Sequence, residues 1–278
     1  DRVARATRRA WETLVYPWGV ASLAASDPFF HPYHLAWQHY HKDEAYHNGT
    51  VWLWNNGIAM QRMIELGQVE PAWRLFKNMN RQVLEQGVVG GLAENTDAYP
   101  HPGEAWPRLT GTYLQAWSNS EQLRTWYQYF LGVRPDMVRN TLMLAPRLPK
   151  GVGSIDFTVR AGAGTLRGIY HPGGDLQEYS WLLNGLASRL QVDLTGFPLL
   201  EIDATSGNLV RLQVQPGHGL DWHVWNERGE VQASGSLEPD QQESLRQQQL
   251  DKLFEGIDFA QPGDPTEHPV MRQVNEGR

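Results

Sequence analysis

Three carboxylates, Glu94, Asp97 and Glu104, fall in one turn-rich stretch, VVGGLAENTDAYPHPGEAWPRLTG at 88–111. Hydrolysis of a glycosidic bond needs two carboxyl groups: one protonates the leaving oxygen, and the other activates water or attacks the sugar directly. Glu94 follows Gly90-Gly91-Leu92-Ala93, where glycine lets backbone come close to a ligand. A solitary acid in a loop is more often just a solvated charge. A second stretch, 17–48, holds His31, His34, His39, His41 and His47, with Asp43 and Glu44 among them. These histidines suit hydrogen-bonding pocket groups or pins for a surface loop. The pairs His31/His34 and His39/His41 have the look of metal ligands, but no HExxH or comparable helical pair accompanies them, and no metal is assigned.

Both stretches interrupt a helical region. Asp1 to Tyr16 carries apolar side chains at Val3, Ala10, Trp11, Leu14 and Val15 before Pro17 stops it. A second helix is expected from Asn48–Thr50 to Gly67. A third starts near Pro71, with Ala72, Phe76, Met79 and Val83 as its stripe, and a fourth runs from Thr112 to Leu131. Helix connections in compact bundles usually take about 2–8 residues. The stretches at 17–48 and 88–111 are far longer and too aromatic for disorder, which marks them as candidate functional loops.

From about Leu142 the period becomes two. Ile155, Phe157 and Val159 alternate with polar residues, as do Leu186 to Leu194, Val210 to Val214, and Trp222 with Val224. Asn184-Gly185 reads as a tight hairpin turn between two of these strands. Six or seven short strands with turns between them indicate a β-sandwich. The expected division is 1–138 helical, 139–236 β-sandwich-like, and 237–278 an acidic, Gln-rich helix with a mobile polar tail.

The totals exclude several classes. The chain of 278 residues is 41% hydrophobic and 20% charged, which fits a soluble globular protein. No apolar run reaches membrane-spanning length and no signal segment opens the chain, which points to the cytoplasm. Without cysteine there is neither a disulfide nor thiolate chemistry. The net charge is −7 with no basic stripe, so nucleic acid is not an expected partner. Nine of the twelve tryptophans precede residue 130, together with six of the ten histidines. Aromatic walls with a few polar handles suit sugars, although a single tryptophan is more often core. In the β region Trp222 and Trp225, with His218 and His223, form either a secondary glucan site or ordinary packing.

Tyr46-His47-Asn48-Gly49-Thr50-Val51-Trp52 resembles the Y-x-x-G-x-V-W helix start of amylo-α-1,6-glucosidase, the debranching part of glycogen debranching enzymes. Glu94-Asn95, then Leu109-Thr110-Gly111 and Ala116-Trp117-Ser118, resemble the second signature of that family and of related six-hairpin glycosidases. Leu144-Ala145-Pro146-Arg147-Leu148-Pro149 is similar to the family's exit from its helical domain. The resemblance implies an α+β chain: part of an (α/α)₆ toroid followed by the β-sandwich-like domain. It implies an inverting glycoside hydrolase that takes α-1,6-linked glucose from branched α-glucans without an organic cofactor. Glu94 is then the general base, and His41, Tyr46, His47, Asn48, Trp52, Glu104 and Trp106 are substrate-binding candidates.

At 100° per residue Trp52 and Trp54 point to nearly opposite sides of a helix, so one is expected at the sugar and the other between helices. Many relatives place arginine where this chain has His47-Asn48. A toroid needs twelve helices, whereas four or five fit before residue 131, and the family's general acid is an aspartate with no counterpart here. The chain therefore reads as a C-terminal portion, completed by the N-terminal half of the enzyme. Asp43 and Glu44 are the nearby acids without an assigned role. A sugar-binding chain that lacks the acid, and a metal-dependent hydrolase using the histidine-rich loop, are the competing readings.

Overall fold

The computed structural model describes residues 2–264, and the end of the acidic tail expected at 237–278 lies outside them. The chain divides into two units, residues 1–125 with 251–278, and residues 126–250. The protein is α+β, with six helices and several sheets among the described residues.

In the first unit, α1 (Arg2–Leu14) leads into the short strands β1 (Val15–Tyr16) and β2 (Gly19–Val20). Then come α2 (Lys42–Tyr46), β3 (Val51–Trp52), α3 (Leu53–Glu65), α4 (Val69–Glu85), β4 (Asn95–Thr96), β5 (Leu109–Thr110) and α5 (Ala116–Arg124). Helix α3 is central and packs on α1, α4 and α5. Its buried face, with Leu53, Met60, Met63 and Ile64, meets Leu75 and Met79 of α4 in a core shielded from water. Asn56 and Gln61 are buried on the same helix. Gln61 Nε2 donates to Glu121 Oε2 at 2.8 Å, so the polar position is satisfied across the α3–α5 contact.

Two helices begin later than their apolar periodicity suggests, for one shared reason. Val51 and Trp52 are taken into a three-stranded antiparallel sheet, paired with Thr96 and Asn95, which pair in turn with Leu109 and Thr110. Trp52 is therefore extended, and α3 starts only at Leu53, whose N–H is taken by Glu94 O. At 112–115 the backbone is likewise committed to the neighbouring loop: Glu94 N donates to Thr112 O, and Gln115 N to Leu92 O. Only then does α5 form, and it passes into a π-helical turn at Thr125–Phe130.

Residues 251–264 belong with this unit and are anchored on it. Phe259 stacks on Trp11, Arg74 pairs with Asp258 at 2.9 Å, and Ala260 N donates to Val15 O. The sequence leads one to expect a mobile tail after the helix that ends near Phe254; an aromatic ring and an ion pair hold the first part of that tail in place.

The second unit contains β6 (Val133–Asp136), β7 (Thr141–Leu144), β8 (Ile155–Ala161), β9 (Gly164–His171), β10 (Gln177–Asn184) and β11 (Ser188–Val192). After these come β12 (Leu200–Ala204), β13 (Leu209–Gln215), β14 (Gly219–Trp225), β15 (Val231–Leu237) and α6 (Gln241–Phe254), within which the division between units falls. The strands build a six-stranded sheet in the order β15-β14-β13-β10-β9-β8 and a four-stranded sheet in the order β12-β11-β7-β6. Every pairing is antiparallel except β7 with β11.

Inward residues of both sheets, among them Leu142, Leu190, Tyr170, Trp181 and Leu212, form one apolar cluster, the arrangement of a sandwich. At its centre the Trp181 indole N–H donates to Tyr170 Oη at 2.9 Å, and that hydroxyl donates to Leu131 O at 2.9 Å. Asn184-Gly185 is not a hairpin. It carries the chain from β10 in the large sheet to β11 in the small one, because turn chemistry sets a local bend and not the partner of the next strand.

Candidate functional site

The two long loops meet around the three-stranded sheet, and Glu94 stands immediately before β4. Its carboxylate is half-buried and held from both sides. Tyr46 Oη donates to Oε1 at 2.6 Å, while Thr112 offers Oε2 its backbone N–H at 3.2 Å and its hydroxyl at 3.5 Å. Burial first, and then the adjacent Glu94 carboxylate, push the Tyr46 phenol up to about 12. Tyr46 is therefore a neutral hydrogen-bond donor to Glu94.

The approach to this pair depends on Gly49. Its φ of +150° is open to glycine, and a Cβ there would collide with the His31 carbonyl. Asn48 serves the same contact, its carbonyl accepting His31 N at 2.6 Å.

An aromatic wall continues from Tyr46. Its ring lies 4.5 Å from that of Trp52, whose indole N–H donates to Tyr46 O at 2.8 Å. His47 stacks on Trp52 at 5.5 Å with 8° between planes, and Trp117 tilts against it at 6.4 Å. His47, Trp52 and Trp117 line a cleft of about 580 Å³ with Ser22, Trp54, Asn55, Ser120 and Glu121. Trp52 and Trp54 thus face the same space. The opposition expected of them assumed that both were helical, but Trp52 is extended and only Trp54 is in the helix.

Glu104 and Trp106 stand elsewhere, along a second cleft of about 510 Å³ with Asp97, His101, Arg108 and Tyr113. Arg108 grips Glu104 with two nitrogens, at 2.6 and 2.9 Å, and this pairing holds the Glu104 carboxyl below its usual range. Trp106 packs edge-on to Trp18 at 6.0 Å and lies under the Arg81 guanidinium. His41 is the N-cap of α2: its ring accepts Asp43 N, and Glu44 accepts His41 N to complete a capping box. The Glu44 carboxylate is therefore engaged at a helix start.

Among the described residues no three His, Asp or Glu side chains converge as a metal-ligand set. His31 Nδ1 faces the Phe29 carbonyl, and the His34 ring is buried and stacked on Tyr46 at 5.1 Å. His41 is exposed at its cap. The paired spacing of the histidines reflects these separate duties. In the β unit Trp222 packs against the core, whereas His223 and Trp225 stack on each other at 5.2 Å beside Arg211.

Four contributors, Ser22, Asn55, Ser120 and Glu121, are not singled out in sequence, whereas Trp54 is one of the two tryptophans between which the sequence leaves the sugar contact open. Ser120 and Glu121 follow Trp117 by three and four residues on α5, a spacing that puts them on its face. No helix among the described residues is long and apolar enough to cross a membrane. Neither the curated proteins nor the solved structures compared contain a match to this chain. A family model described as amylo-alpha-1,6-glucosidase does match, over residues 1–124, which contain both clefts and Glu94. Over that segment, which is less than half of the chain, the protein is similar to the amylo-alpha-1,6-glucosidase family.

Proposed function

We propose that the chain is part of a glycoside hydrolase of the glycogen-debranching type, acting on α-1,6-linked glucose in branched α-glucans. The observation that carries this reading is the Glu94 carboxylate, held by Tyr46 and Thr112 beside the Tyr46–Trp52–Trp117 wall. Glu94 takes a proton from water, and the water oxygen attacks the anomeric carbon from the face opposite the leaving oxygen. The glycosidic bond breaks as a general acid protonates that oxygen, so glucose leaves as the β-anomer. Inverting enzymes keep their two carboxyl groups roughly 6.5–9.5 Å apart to admit the water.

The aromatic wall supplies apolar surface for the sugar's C–H faces, and Glu121, Asn55 and His47 supply acceptors and donors for its hydroxyls. The general acid in this reading is an aspartate on helices N-terminal to those described, and α1, α3, α4 and α5 are part of an (α/α)₆ toroid that those helices complete. No organic cofactor enters the reaction.

The test is glucose release from an α-1,6-branched dextrin by the complete enzyme, with the anomer followed by proton NMR. Glu94→Gln is expected to abolish release while sugar binding persists, since it keeps the shape and removes the base. Normal turnover by that variant, or release of the α-anomer, overturns the assignment. Sugar binding without turnover in the unmodified enzyme would make this a binding site instead.

A further inference from the structure

Asp97 is the most deeply buried carboxylate among the loop acids, at 2% exposure, and hydrolysis as written above does not use it. Its Oδ1 accepts the backbone N–H of His34 at 2.7 Å, and its Oδ2 lies 2.9 Å from His101 Nε2. The first of these bonds joins the two long loops. They meet again where Ala98 N donates to Pro32 O at 2.8 Å. His34 is itself buried, and its ring lies flat against Tyr46, 5.1 Å away with 24° between planes. Tyr46 in turn holds Glu94 Oε1 at 2.6 Å. His34 therefore has two attachments: its backbone is fixed by Asp97, and its ring backs the hydroxyl donor of Glu94.

A buried carboxylate is a poor choice for loop closure alone. Burial pushes its carboxyl above the usual range, a cost that neutral groups do not incur in tying loops together. What the carboxyl adds is a short, directional acceptor for one N–H. We propose that Asp97 is a positioning residue for Glu94, acting through His34 and Tyr46. It fixes the His34 backbone, which sets the ring behind Tyr46, and Tyr46 sets the direction in which Glu94 presents its remaining lone pairs. The proposal rests on Glu94 being the base.

The decisive measurement is ¹³C NMR of the Tyr46 Cζ signal in the 278-residue chain, for Asp97→Ala, Asp97→Asn, His34→Ala and the double variant Asp97→Ala/His34→Ala. Asp97→Ala and His34→Ala are expected to shift the signal alike, and the double variant no further, because Asp97 acts only through His34. Asp97→Asn keeps an acceptor for the His34 N–H and should stay near the parent. In the glucose-releasing enzyme, Asp97→Ala is expected to lower kcat about tenfold with KM within about twofold, and Asp97→Asn to restore most of it.

An unmoved Tyr46 signal in Asp97→Ala, or effects that add in the double variant, would reduce Asp97 to a fold clamp. If Asp97→Ala does not fold, His34→Ala decides by itself, since an unchanged Tyr46 signal and kcat there break the relay. Turnover by Glu94→Gln would remove the base assignment and leave the NMR outcome intact, so the two failures are distinguishable.

Discussion

Tyr46→Phe removes one oxygen and isolates the bond that defines the Glu94 carboxylate. The donor–acceptor distance of 2.6 Å is that of a charge-assisted hydrogen bond. Bonds to charged groups contribute about 1.5–3 kcal/mol. Glu94 is half-buried, so water can enter where the hydroxyl was, and the low end of that range, about 1.5 kcal/mol, applies. Phenylalanine keeps the ring contacts with His34 and Trp52, so packing adds nothing to the difference. For a unit of this size the loss corresponds to a fall in Tm of roughly 3–6 °C, read by near-UV circular dichroism. If the same bond orients the base, about 1.4 kcal/mol of lost transition-state stabilisation is a tenfold drop in kcat for glucose release. A Tm within about 1 °C of the parent and turnover within about twofold would mean that Tyr46 neither secures nor aims Glu94.

Two other outcomes follow from buried hydroxyls. Tyr170→Phe strands both the Trp181 indole N–H and the Leu131 carbonyl in a dry core, and should cost roughly 3 kcal/mol in urea unfolding followed by tryptophan fluorescence; a loss below about 1 kcal/mol would mean that the core relaxes to pair them. Burial pushes Tyr33 and Tyr46 up to about 12, above the ordinary 10.0 of an unfolded chain. Their contribution to stability is whole below about pH 10 and is lost as pH rises towards 12, so the urea midpoint of the helical unit should fall across that window and fall less in Tyr46→Phe. A midpoint that is level from about pH 9 to 12 would contradict the burial of these phenols.

The parts of this architecture legible in sequence are those whose pattern is local. Alternation at Ile155-Phe157-Val159 and Val210-Leu212-Val214 marks strands because each has one inward face. The stripe of α4 marks a helix for the matching reason. What sequence misplaces depends on distant partners. Val51 and Trp52 continue the helical pattern of α3, yet pairing with residues 95–96 takes them into a sheet and turns Trp52 towards Trp54. The aromatic motif was legible at the site, while the division of its members between two clefts was not. Glu104 looks like a ligand-binding acid until Arg108, four residues on, is seen to grip it. Asp97 looks like one loop acid among three, because its partner amide is 63 residues away in the chain.

The parallel pairing of β7 with β11 has a kinetic consequence. Leu142 lies beside Leu190 in that pair, and β8, β9 and β10 lie wholly within the intervening segment. The two strands must close a loop of about 50 residues, an entropic cost that no hairpin turn reduces. The antiparallel β8–β9–β10 meander is local and can form at once, shortening the free chain that remains. The small sheet should therefore be completed late, and refolding of this unit should show its last step at Leu190, with amide protection there lagging that at Leu166.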